Sequence, residues 1–122
     1  MKYWTIKTYK SSRNEIIEWL KRLEPDHKQR IETFIRRLEI IERWDSKYFE
    51  PVTGYRGIYE IKIRFRNVQY RPLGCYGPGR KEFILLIGAK EIGGAFVPKN
   101  APEKAQERCK LIHENTRYVD DF

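Results

Sequence analysis

Eleven residues in the middle of the chain, GIYEIKIRFRN from Gly57 to Asn67, alternate apolar and charged side chains almost without error. Tyr59, Ile61, Ile63 and Phe65 fall on one parity; Glu60, Lys62, Arg64 and Arg66 fall on the other. Successive side chains of a strand point to opposite faces. The pattern therefore predicts one strand with an apolar face and a strongly cationic face. The functional question is what a row of three cations on a strand face is for.

The charge of the whole chain is concentrated there. The net charge is +8 over 122 residues. Between Gly54 and Lys90 stand eight cations (Arg56, Lys62, Arg64, Arg66, Arg71, Arg80, Lys81, Lys90) against two acids, Glu60 and Glu82. A localised basic surface favours a polyanionic partner, of which nucleic acid is the commonest. The plainer alternative is a solvated sheet face that keeps the protein soluble. The length is that of a single domain, 1–122, able to build one core. No apolar run reaches the length of a membrane span or a signal peptide, so a cytoplasmic protein without membrane attachment is expected. Cys75 and Cys109 are far apart in sequence and outside any CxxC spacing. They read as reduced, partly buried thiols, with neither a disulfide framework nor a metal site.

Around the alternating strand, the pattern of elements predicts an α+β fold. Residues 2–9 alternate loosely, as a first strand. Ser12 precedes Glu15 at capping-box spacing, and Ile16, Trp19, Leu20 and Leu23 form the buried stripe of a helix ended by Pro25. Asp26 then caps a second helix with the stripe Ile31, Phe34, Ile35, Leu38 and Ile41. Residues 45–56 read as a loop broken by Pro51 and Gly54. NVQYRPLGCY is a further strand in which Pro72 demands an edge position or a bulge. Pro78-Gly79 fits a type II turn, with a positive φ at Gly79. EFILLIGA is apolar almost throughout, as in a strand covered on both faces. IGGAFVPKNAP is a glycine-rich connection with room for a short strand. Pro102 opens a last helix, to about Glu114. TRYVDDF reads as a mobile polar tail. The order is strand, two-helix hairpin, an antiparallel sheet of three to four strands, and a C-terminal helix. All helices are expected on one face, leaving the cation row on an open one.

The run from about residue 54 to 110 also resembles a known family. Gly57, Tyr59, Glu60 and Lys62 make a "G-aromatic-E-aliphatic-basic" strand. Tyr70-Arg71 makes a "YR" strand, Gly88 and Lys90 end an apolar strand, and Pro98, Ala105 and Arg108 stand toward the last helix. The ordered set is similar to the RelE/ParE toxin superfamily in its phage-derived, HigB-like branch. The hairpin after Arg71 is longer here, and Lys90-Glu91 stands where a lysine pair is usual. The resemblance implies the toxin of a type II toxin–antitoxin module, blocked by a cognate antitoxin protein and needing no metal or organic cofactor. RelE and HigB types cleave mRNA within the translating ribosome, whereas ParE types poison DNA gyrase.

Metal-free RNA cleavage uses the neighbouring 2′-OH as nucleophile. It requires proton transfer and positive charge around the phosphorane-like transition state. Histidine would suit the proton transfers, but His27 falls in a turn and His113 near a helix end. Neither is expected to be catalytic. The catalytic candidates are Lys62, Arg64, Arg71, Lys90 and Tyr70, with Tyr59 and Tyr76 behind them. Arg56, Arg66, Arg80 and Lys81 would extend the RNA-binding surface. Arg holds phosphate bidentately, and Lys supplies a point charge or a proton. Such groups move protons poorly near pH 7. Substrate held in a reactive geometry by the ribosome would make up for that. Three readings stay open: a ribosome-dependent mRNA endoribonuclease toxin, a gyrase-directed or non-cleaving toxin, and a non-toxic nucleic-acid-binding module.

Overall fold

The computed structural model describes all of residues 1–122. Strand β1 (Thr5–Tyr9) leads into two helices, α1 (Glu15–Lys21) and α2 (Pro25–Leu38). The α1 cap is Asn14, whose side-chain oxygen accepts from the Ile17 N–H at 3.1 Å; Ser12 is exposed. Pro25 does not stop α1. It begins α2, where a missing N–H costs nothing because the first turn has no partner for it. Asp26 therefore lies inside the first turn and Glu24 holds the cap position. Ile16 and Leu20 of α1, with Ile31, Ile35 and Leu38 of α2, are buried. Ile41 lies beyond the helix and is exposed.

The segment expected as a loop contains β2 (Phe49–Pro51), paired antiparallel with β3 (Tyr59–Ile61). The alternating stretch is two strands, β3 and β4 (Ile63–Phe65), in different sheets. The next segment splits likewise into β5 (Val68–Tyr70) and β6 (Leu73–Tyr76). Pro72 explains the split, since it has no N–H to continue a ladder. The pairing with the next strand shifts register between Leu73 and Gly74, the irregularity that Pro72 called for. Opposite it, the Lys62 N–H turns to the Tyr48 carbonyl at 2.8 Å. β4 and β5 are joined through Arg66 (φ 47°) and Asn67 (φ 66°), the two positive angles of a tight hairpin turn. Arg66 is thus a turn residue, outside the row it was expected to complete.

Strand β7 (Glu82–Ile87) is the centre of the domain, and Phe83 to Ile87 are all buried. The turn before it carries its positive φ at Lys81 (58°), not at Gly79. β8 (Lys90–Ile92) and β9 (Ala95–Val97) form a hairpin over Gly93-Gly94, both at positive φ. Helix α3 (Ala101–Glu114) follows, with Pro102 in its first turn. The polar tail is an element of the fold: after a 3₁₀ turn, β10 (Val119–Asp121) pairs antiparallel with β1. One sheet has the order β10-β1-β7-β6-β3-β2 and the other β4-β5-β8-β9. The β1–β7 pair is parallel, so the larger sheet is mixed, not antiparallel throughout.

The helices do not share one face. Phe83 and Leu85 of β7 pack with Ile16, Leu20, Ile31, Ile35 and Leu38. Ile84 and Leu86 pack with Ala101, Ala105 and Ile112 of α3. A strand with apolar side chains on both parities needs cover on both sides, and each fully buried aliphatic contributes about 1.5–3 kcal/mol. The face expected to be open is therefore covered by α3 over β6 and β7. The β3–β4–β5–β8 region keeps a polar surface. The seating of α3 on β6 also brings Cys109 against Cys75, which sequence separation gave no reason to expect.

Candidate functional site

The parity of the alternating stretch survives the break between β3 and β4. Ile61 and Ile63 are buried, and Glu60, Lys62 and Arg64 point the other way. Strand register extends that polar strip sideways. Glu50 opposes Glu60, Gln69 opposes Arg64, and Glu91 opposes Gln69. The strip thus gathers three cations, Lys62, Arg64 and Arg71, among three carboxylates. Lys62 Nζ lies 2.9 Å from Glu50. Arg71 lies 3.4 Å from Glu60 and 3.7 Å from Glu91. Its guanidinium also donates to the Tyr70 carbonyl at 3.0 Å and to the Gln69 side chain at 3.1 Å. Arg64 is exposed and has no carboxylate partner. The row is therefore a nearly balanced ionic strip with one free guanidinium, not a cationic floor.

Burial holds the Glu60 carboxyl above its usual range, against the pull of Lys62 and Arg71; Glu50 and Glu91 push it further up. A carboxyl that gains a proton more readily than usual, beside a fixed guanidinium, has the make-up of an acid–base group. Glu60, Glu50 and Glu91 are the members that sequence reasoning left out. Glu60 sits on the same parity as the cations and was there to be counted; Glu50 and Glu91 arrive through pairing partners.

The five catalytic candidates separate. Lys62, Arg64 and Arg71 share the strip. Tyr70 and Lys90 are paired in register on the neighbouring strands, together with the buried Ile63, and so belong to the opposite face. Tyr70 is buried, with its hydroxyl 2.7 Å from Nδ1 of His27 and its ring edge-on to Trp19. Burial, with Glu24 and Asp26 nearby, raises its phenol above the ordinary value. Tyr59 is half-buried and stacks on Phe49, 4.9 Å between centroids; Tyr76 is partly exposed beside it. Lys90 lines a cleft of about 360 Å³ between α1, the β8–β9 hairpin and α3. Arg22 and Lys104 line it too, and none of these three cations has a carboxylate within ion-pair distance. Glu15 and Glu18, also on its wall, are held by Arg108 and Arg13 at 2.9 and 3.0 Å.

The expected RNA-binding cations lie on separate turns. Arg56 is exposed between β2 and β3. Arg66 is engaged by Asp26 and lies over the Phe65 ring. Arg80 and Lys81 occupy the β6–β7 turn, with Lys81 over Trp4 at 5.3 Å. His27 is tied to Tyr70, and Nδ1 of His113 lies 2.8 Å from the Cys109 carbonyl.

Fold and strip together define an α+β domain with a mixed-charge polar surface that runs from β2 and β3 of the larger sheet onto β4, β5 and β8 of the smaller one. Residues 18–110 match the model of the family described as Phage derived protein Gp49-like (DUF891), and the chain belongs to that family. The family is one commonly associated with toxins of toxin–antitoxin modules. No curated protein and no solved structure matches the chain. No helix is long and apolar enough to cross a membrane.

Proposed function

We propose that this protein is the toxin of a toxin–antitoxin pair and that it cleaves mRNA on the translating ribosome by 2′-OH attack. Family membership supports the toxin class and a cognate antitoxin as partner. The RelE/HigB resemblance of the strand motifs supports the reaction. The observation that carries the choice of site is the grouping of Arg64, Lys62, Arg71 and Glu60 on one strip. In this reading the exposed Arg64 takes the scissile phosphate. The Lys62–Glu50 pair, partly exposed, is worth only about 0–1 kcal/mol, so a phosphodiester can replace Glu50 on the ammonium. Glu60, as carboxylate, accepts the 2′-OH proton as the 2′-oxygen bonds to phosphorus, and Arg71 holds that carboxylate in place; the P–O5′ bond breaks, leaving a 2′,3′-cyclic phosphate, and the departing 5′-oxygen takes a proton from solvent. Tyr70 supports this set from the opposite face, as a core residue bonded to His27. Lys90 and its cleft offer a second cationic surface for the RNA backbone or the ribosome.

Balanced charge on the strip is also the observation that favours a second reading, a non-cleaving toxin that grips a protein such as gyrase. Brief induction followed by primer extension on a reporter mRNA separates the two. Cleavage predicts growth arrest with sharp stops inside translated regions. Arrest of DNA replication without such stops supports the gyrase reading.

A further inference from the structure

Cys75 of β6, and Cys109 and His113 of α3, converge beneath the edge of α3, on a face that neither the polar strip nor the cleft uses. Their ligand atoms all lie within 4.8 Å of one another. Cys109 Sγ is 3.7 Å from Nδ1 of His113, one helical turn on. In a tetrahedral zinc site with bonds of about 2.3 Å to sulfur and about 2.0–2.1 Å to nitrogen, the sulfur–nitrogen edge is about 3.6 Å. The observed edge is close to that value without any rearrangement of the helix. The three residues also grade from inside to outside. Cys75 is buried, Cys109 half-buried and His113 exposed, which leaves the outer position of the group facing solvent. A disulfide would involve the two sulfurs alone and would give no part to the imidazole that touches Cys109.

From this geometry we infer that Cys75, Cys109 and His113 form a binding site for one soft divalent ion of the zinc class, with a fourth position open to water. Each thiol loses its proton to solvent as the ion binds. Nδ1 now lies 2.8 Å from the Cys109 carbonyl oxygen. If Nδ1 is the ligand, that hydrogen bond is exchanged for the metal and the ring proton resides on Nε2. Because β6 and α3 are separate elements of the core, a bound ion joins them and raises the stability of the folded chain. The site is independent of the proposed ribonuclease chemistry.

The test uses the reduced full-length protein, titrated with cobalt(II) and then zinc(II). One cobalt per chain, with thiolate-to-cobalt charge-transfer absorption displaced by zinc, is expected, together with a zinc-dependent rise in Tm. Cys109→Ser should lose the charge-transfer band. His113→Ala should bind more weakly and lose most of the Tm rise. Cys109 is half-buried and His113 exposed, so both variants can be checked for folding by circular dichroism. Absence of saturable binding by the wild-type chain overturns the inference. So does binding unchanged in Cys109→Ser, or a Cys75–Cys109 disulfide that forms readily in a protein whose reduced form takes no zinc.

Discussion

The two faces of the β3–β4–β5 ribbon come from one alternating sequence and obey different rules. The face of Ile61, Ile63 and Tyr70 is buried, and these side chains pack in one core cluster with Ile16 and Leu20 of α1 and Ile31, Ile35 and Leu38 of α2. The face of Glu60, Lys62, Arg64 and Arg71 is ionic, and its order depends on carboxylates delivered by β2 and β8. On the first face, apolarity alone determines which way a residue points. On the second, parity gives the direction of a side chain but says nothing about its partner. The difference predicts that the apolar face is intolerant of change, whereas the polar face is graded: fixed at Arg71, loose at Lys62 and free at Arg64.

The largest effect tests the buried face. Ile61→Asp and Ile63→Asp should each prevent folding. A buried unpaired carboxylate costs several kcal/mol, of the order of a small domain's whole stability. Far-UV circular dichroism and thermal melting decide it, and normal melts for both variants would mean that the ribbon is inside out.

Arg71→Ala comes next and distinguishes the inner end of the polar face from its outer end. Its side chain is only 10% exposed and serves Glu60, Glu91, Gln69 and the Tyr70 carbonyl. Removing one partner from such a buried pair costs about 3–5 kcal/mol. Arg64→Ala, at an exposed and unpaired position, should stay within about 0.5 kcal/mol of the parent. Urea denaturation of the two variants side by side measures this gradient. Equal losses would remove the distinction between a structural and a free guanidinium.

A smaller effect is expected from Glu60. Its folded pKa is raised, chiefly by burial. Between the unfolded and folded values the native state therefore holds more proton than the unfolded one, and stability falls as pH rises through that window. Below the unfolded value the contribution is fully favourable; above the folded value it is lost. Glu60→Gln cannot titrate, so the stability of the parent relative to this variant should decline from acid toward neutral pH. A difference that is flat across the window, or that rises with pH, would show that Arg71 and Lys62 outweigh burial.

These contrasts also explain what could be read from the chain. The period-two pattern placed Ile61 and Ile63 correctly, because burial is a local consequence of side-chain type and parity. The apolar run in β7 announced a strand covered on both sides, and that observation, followed through, would have placed α3 opposite α1 and α2. The strand break at Lys62 was not visible within the alternating stretch itself; it follows from Pro72, ten residues on and in a different strand. Arg66 left the row because the hairpin needed two residues at positive φ, a demand made by the turn and not by the strand. The neutralising Glu50 and Glu91, the separation of Lys90 and Tyr70 from Lys62, and the meeting of Cys75 with Cys109 all depend on long-range register. None of these is encoded in any single segment.

The most direct test of the account is a cleavage assay with one labelled mRNA, free in solution and in a programmed ribosome complex, using the wild-type protein and Arg64→Ala. The polar strip offers one raised carboxyl and a set of phosphate-binding cations, so it depends on substrate held in line for attack, an advantage worth up to about 7–11 kcal/mol. Cleavage should be several orders of magnitude faster on the ribosome than in free RNA, with activity lost in a stably folded Arg64→Ala protein. Equal rates for free and ribosome-bound mRNA, or full activity in that variant, would contradict it.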